Sequence, residues 1–203
     1  MKDITASAPL TRWRTIDLLT CAFLGVAFGV AYWGWGLAYE APSKAVSAGF
    51  PPLAALFAWP WLVAGIVGIL VIRRPGAAVF TELLAAVVSA LIGTQWGLTT
   101  LVSGFVQGLG VELGFAAFAY ASFRWGPLLL GGFLGGAFEA VYEWYSYWTD
   151  WAWGYKIAYL VLFGASVAVF GSLLSVGLTR LLANAGALNP FPPGQEVRER
   201  QAV

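Results

Sequence analysis

A chain of 203 residues suits one domain. Hydrophobic residues make up 60% of it and charged residues only 10%, which excludes an ordinary water-soluble domain and points to an integral membrane protein. A net charge of +1 leaves no case for nucleic-acid binding, and the lack of histidine beside a single cysteine removes His-dependent base catalysis, internal disulfides and the usual zinc and haem ligand sets, so no metal or cofactor is expected.

Residues 1–14 read as a cytoplasmic N-terminal tail, 15–183 as a membrane domain and 184–203 as a cytoplasmic C-terminal tail. Within the domain six apolar segments each approach the ~20 residues that cross a bilayer core. They are Thr15–Gly36, Pro51–Ile72, Gly76–Ile92, Leu98–Phe123, Gly126–Trp148 and Tyr155–Leu182. The expected fold class is therefore all-α, integral membrane, with six transmembrane helices. The first segment runs into Tyr32, Trp33 and Trp35 without a persuasive cleavage site and reads as a retained helix, not a signal peptide. It carries small residues four apart at Cys21, Gly25 and Gly29, and a second row at Ala27 and Ala31. Such rows let helices approach closely, either within the chain or against another membrane subunit. Asp17, one turn from Arg14, reads as a local ion pair or a helix-start residue. Glu82, in the third segment, reads as an acid with a structural partner.

The charges orient these segments. Lys2, Arg12, Arg14, Arg73, Arg74, Arg124, Arg180, Arg198 and Arg200 fall on one side, and only Lys44 and Lys156 on the other. The positive-inside rule then places both termini in the cytoplasm. Aromatic residues gather on the opposite side: Tyr32, Trp33, Trp35, Tyr39, Trp96 and most of residues 142–155. An interfacial belt accounts for a single Trp. It does not account for residues 138–155, half of which are aromatic and which begin with two acids.

Those acids, Glu139 and Glu143, share one face of the fifth helix with Tyr142 beside them. At ~1.5 Å per residue they lie about 18 and about 24 Å up from Pro127. Gln107, in the fourth segment, lies about 13 Å below the outer boundary, at a depth similar to Glu139, and Glu112 about 21 Å below it. Acids at such depths are costly to desolvate and usually answer to something that passes through or lodges in the membrane. Two carboxylates on one face repel unless one is protonated or a cation lies near. An organic cation would relieve the repulsion and stack on Tyr or Trp, while Gln107 can donate and accept toward an amino-substituted ring. Two alternatives stay open: Glu143 snorkelling to Lys156, and Glu112 with Gln107 forming an interhelical hydrogen bond.

The chain has no Walker A sequence and no convincing inverted repeat, so a small six-span binder of this kind asks for an engine in another subunit. Four strings then carry a resemblance. Arg12-Trp-Arg-Thr-Ile-Asp-Leu-Leu, Arg74-Pro-Gly-Ala-Ala, Gly93-Thr-Gln-Trp-Gly and Gln107-Gly-Leu-Gly-Val-Glu-Leu are similar to those of the YkoE family, over roughly residues 10–183. That family consists of substrate-binding S components of energy-coupling-factor (ECF) transporters. The resemblance implies a six-helix S-component fold, thiamine or its hydroxymethylpyrimidine precursor as ligand, and a transmembrane coupling protein with two ATPase domains as partners. It also implies that a small-residue stripe on the first helix meets the coupling protein, which maps onto Cys21, Gly25 and Gly29 or onto the Ala27/Ala31 row.

The combined reading is a vitamin-uptake subunit of the cell membrane and not an enzyme. Glu139, Glu143, Tyr142 and Gln107 hold the ligand, Trp33, Gln95, Trp96 and Tyr147 wall or cover it, and Glu112 closes the floor. The rival readings are a stand-alone secondary transporter of a small organic cation, with Glu139 and Glu112 as proton relays, a membrane enzyme, and a structural subunit without ligand.

Overall fold

The computed structural model describes residues 4–7 and 9–202; Lys2, counted above among the orienting cations, lies outside them. Among the described residues every regular element is helical: α1 Thr15–Ser47, α2 Val63–Ile72, α3 Ala77–Ile92, α4 Thr99–Ala116, α5 Trp125–Ser146, α6 Trp153–Ser166, α7 Ser172–Asn184 and α8 Pro192–Gln201. Every residue of α2 is buried, so this short helix forms the axis of the bundle. Leu62, Ile66 and Ile69 meet Phe115, Leu128, Tyr159 and Phe163 from the surrounding helices.

Several boundaries depart from the expected spans for local reasons. α1 continues from Gly36 to Ser47, held by Tyr39 packing edge-on against Trp61 at 4.8 Å between centroids. The second span does not begin as an α-helix. Pro51, Pro52 and Pro60 lack backbone N–H groups, so the chain enters by 3₁₀ turns at Pro51–Phe57 and Trp59–Leu62 and bends by 48°. A π-type turn at Val167–Gly171 joins α6 to α7 as one 32-residue rod. By length and apolarity, α1 and this rod are each able to cross a membrane, and the bent pair passes the same test only when its two parts are taken together. α3 is apolar and shorter, at 16 residues.

The C-terminal stretch read as a tail contains α8. Pro192 and Pro193 open that helix with φ already set. Leu188 and Phe191 are buried just before it, and Arg73 grips Glu196 with both guanidinium nitrogens, at 2.6 and 3.2 Å. Nearby, Asp17 accepts Arg14 at 2.6 Å and the fully enclosed Arg74 at 3.0 Å. The Arg14–Asp17 pair expected at the helix start is thus present, and it is extended to a second arginine.

One expectation is corrected by the packing of α1. The Cys21, Gly25, Gly29 row is not a partner surface; it faces α3 inside the chain. A Cβ on Gly25 would meet Leu84 at 2.9 Å, one on Gly29 would meet Val88 at 2.5 Å, and Cys21 is fully buried. Helices this close use the absent side chains as room for the neighbour's. Ala27 and Ala31 lie on the exposed side of the same helix.

Candidate functional site

The contact between α4 and α5 decides which polar groups meet. A Cβ on Gly114 would lie 2.2 Å from the Gly131 backbone, and one on Gly110 would lie 2.6 Å from Gly135 Cα. The two helices therefore touch backbone to backbone, a contact only glycine permits. Further along the same interface Ser103 and Gln107 of α4 approach the carboxyl of Glu139 on α5. Glu139 is 2% exposed, and its Oε2 has no hydrogen-bond partner. Its acidic neighbours are Glu143 and Glu82.

Glu143 sits one turn nearer the aromatic end and is better satisfied. Its Oε2 accepts the Tyr159 hydroxyl at 2.5 Å and the Trp148 indole N–H at 3.1 Å. Trp148 stacks on Trp151 at 4.4 Å, and both present an edge contact to Tyr159. Tyr39 is a further neighbour of Glu143 and meets Trp61 and Trp96, which contact each other at 5.0 Å. Tyr142 packs edge-on against Tyr147, whose hydroxyl is 2.9 Å from Thr99 Oγ1 at the exposed rim. The expected group of Glu139, Glu143, Gln107, Tyr142, Tyr147 and Trp96 thus lies on connected surfaces of α4, α5 and the loop that precedes α4.

Three expected residues lie elsewhere or are otherwise engaged. Trp33 and Gln95 line a separate cleft of about 200 Å³, with Glu40 and Thr94. Glu112 does not close the floor of the Glu139 group with a free carboxylate. Its two oxygens accept the Gly76 and Ala78 amides at 2.7 and 3.0 Å, at the start of α3, and Oε1 also takes the Tyr120 hydroxyl at 2.7 Å. A helix N-terminus offers unpaired amides and a positive dipole end, so this carboxylate acts as a cap supplied by another helix. Nor does Glu143 snorkel to Lys156, which instead donates to the Thr149 carbonyl and lies over the Trp153 ring.

Glu82 follows the same pattern as Glu112. Its Oε2 accepts the Gly65 amide of α2 at 2.7 Å and the Tyr32 hydroxyl at 3.1 Å, while Tyr32 accepts the Ala64 amide at 2.8 Å. The structural partner expected for Glu82 is therefore the start of α2. Its Oε1, however, is buried without a partner.

Residues 16–138, well over half of the chain, match the family of permease components of ABC-type cobalt transport systems. The chain belongs to this family. The chain is 27% identical over 191 residues to YkoE of Bacillus subtilis (strain 168), provisionally named an HMP/thiamine permease protein; the match covers 93% of the chain and 94% of that relative. Its fold matches a crystal structure of an S component of an ECF transporter with a TM-score of 0.85 and 26% identity, over 94% of the chain and 96% of the other. The YkoE resemblance read from four strings extends over nearly the whole length. The permease component is thus a transporter subunit, not an enzyme, and a multi-pass protein of the cell membrane.

Two neighbours of Glu139 and Glu143 carry a signal in the sequence. Ser103 is one helical turn from Gln107, on the same face. Tyr39 is two turns beyond Tyr32, past the point at which the first span was expected to end. Tyr159 and Trp61 had no such signal, because only the packing of α6 and of the bent entry to α2 brings them in.

Proposed function

We propose that this chain is the substrate-binding S component of an ATP-driven ECF importer for thiamine or its hydroxymethylpyrimidine precursor. One observation carries the reading: Glu139, nearly fully buried, keeps an unpartnered oxygen beside a second carboxylate, an amide and a hydroxyl. Among the described residues neither Glu139 nor Glu143 has an ion pair. A ligand with a positive ring would supply the missing charge, and its amino group would find acceptors at Glu139 and Gln107. Tyr142, Tyr147 and Trp96, with Tyr39 and Trp61, would wall the ring by stacking and cation–π contact. The name of the Bacillus relative supports the same chemistry.

The cobalt in the family description is not favoured as cargo. The chain has no histidine, and among the described residues no three His, Cys, Asp or Glu side chains come together to hold a metal ion.

The topology proposed is six spans with both termini in the cytoplasm, supported by arginines gathered at one end of the bundle and aromatics at the other. Residues 15–183 form the binding domain, and the tails flank it on the inner side. The partners are a transmembrane coupling subunit and ATPase subunits, with the exposed Ala27/Ala31 row as the face offered to the former.

The test is tryptophan fluorescence of the purified protein titrated separately with thiamine and with hydroxymethylpyrimidine. Saturable quenching by thiamine that weakens in Glu139→Gln supports the cation-binding pocket, and saturation by the pyrimidine alone assigns precursor salvage. No saturable response to either from folded protein would overturn the ligand. Uptake into liposomes by the chain alone, with no ATPase, would favour the secondary-transporter reading instead.

A further inference from the structure

At the end of α5 opposite Glu139, an open cleft of about 520 Å³ lies between the ends of α2, α7 and α8 and the start of α5. Four arginines line it, Arg73, Arg124, Arg180 and Arg200, against one acid, Glu196. Glu196 is already matched by Arg73, so it does not offset the charges of Arg180 and Arg200. Arg180 and Arg200 are exposed.

Two further features give the cleft a ligand's shape. Its wall is apolar where it runs down the bundle, at Val176 over the buried Leu128, and Trp125 stands 45% exposed at its edge. Thr179 lines the same wall at 7% exposure, and its hydroxyl has no hydrogen-bond partner. A helical threonine usually bonds back to its own helix. Ser172 and Ser175 of the same helix share this lack of a partner, and of the three only Thr179 lines the cleft beside the arginines, where a hydroxyl suits an oxygen-rich anion.

We infer that this cleft binds the phosphate of an anionic phospholipid, with the headgroup against Arg180, Arg200 and Thr179 and an acyl chain along Val176. A soluble anion would use the arginines and leave the apolar wall and the interfacial tryptophan unexplained. An acidic protein segment would likewise leave the wall unused. Basic recesses between spans at a membrane surface suit phosphate headgroups, because the bilayer presents the phosphate at the depth of the arginines and the chains below it. The inference is independent of the Glu139 ligand and needs only the membrane location.

The experiment is native mass spectrometry of the full chain in detergent, supplied in turn with phosphatidylglycerol, phosphatidylcholine and inorganic phosphate. The expected result is retained phosphatidylglycerol in preference to phosphatidylcholine, with little retained inorganic phosphate. In the double variant Arg180→Gln, Arg200→Gln that preference should fall by about 25-fold, taking about fivefold for each arginine removed. Thr179→Val should reduce it less, with the charges intact. Thermal unfolding of each variant without lipid serves as the folding control. Equal retention of the two lipids, or a preference untouched in a folded double variant, overturns the proposal. Inorganic phosphate held as well as phosphatidylglycerol overturns the lipid as its source.

Discussion

The two ends of the bundle treat buried acids in opposite ways. At the arginine end Asp17 lies between Arg14 and Arg74, Glu196 is gripped by Arg73, and Glu112 takes two amides and a tyrosine hydroxyl. At the aromatic end Glu139 and Glu143 sit one turn apart, and Glu139 keeps an oxygen with no partner. Desolvating a carboxylate costs much the same at either end, so the difference lies in what is supplied to offset it. Acids that build the fold have their partners within the fold. Glu82 also keeps one oxygen without a partner, but its other oxygen ties α3 to the start of α2, whereas Glu139 caps no helix and lies beside a second carboxylate, Glu143.

Substitutions can break or sharpen this contrast. The largest effect is expected at Glu139. Glu139→Gln should weaken thiamine binding on the order of 100-fold, as for the loss of one member of a buried charge pair, and leave the melting temperature of the free protein unchanged or raised. Fluorescence titration and thermal unfolding read the two together; a lower melting temperature would make Glu139 a structural acid like Glu112. Glu112→Gln should behave oppositely, with a stability loss of about 1–3 kcal/mol from the broken α3 cap and affinity within about twofold.

Gly114→Ala probes the contact that sets the geometry. Its methyl meets the Gly131 backbone at 2.2 Å, and overpacking of this kind costs about 1–3 kcal/mol. The substitution should lower stability and affinity together, because Ser103 and Gln107 are carried on the displaced helix. Tyr159→Phe removes one of two donors to Glu143 and should cost about 1 kcal/mol in stability, with a smaller change in affinity than Glu139→Gln. Ala27→Leu should leave the melting temperature and affinity of the isolated chain untouched and reduce only its co-purification with a coupling subunit. Equal co-purification would move that contact off α1.

Much of the site could be read from residues alone because membrane depth follows from counting. An acid fourteen residues into α5 and an amide near the middle of α4 reach similar levels in any antiparallel pair of spans. The pairing itself could not be read. Glu82, Glu112 and Glu139 are alike in sequence, each an acid in an apolar helix, yet two cap the starts of other helices and the third caps nothing. Trp33 and Gln95 line a cleft that does not include Glu139. The row at Cys21, Gly25 and Gly29 and the row at Ala27 and Ala31 also look equivalent, and only the position of α3 separates the inner from the outer.

Composition and spacing by themselves determined that the chain is a helical membrane protein, that its cations and aromatics segregate, and which polar groups lie deep. Those properties depend on the solvent each segment meets, which is a function of local sequence. The tertiary structure decided which acids cap other helices, which small-residue row is buried, and that the final residues fold back as α8 on Arg73. Those depend on contacts between segments far apart in the chain, where a helix terminus or a glycine backbone is a partner only after the helices have docked.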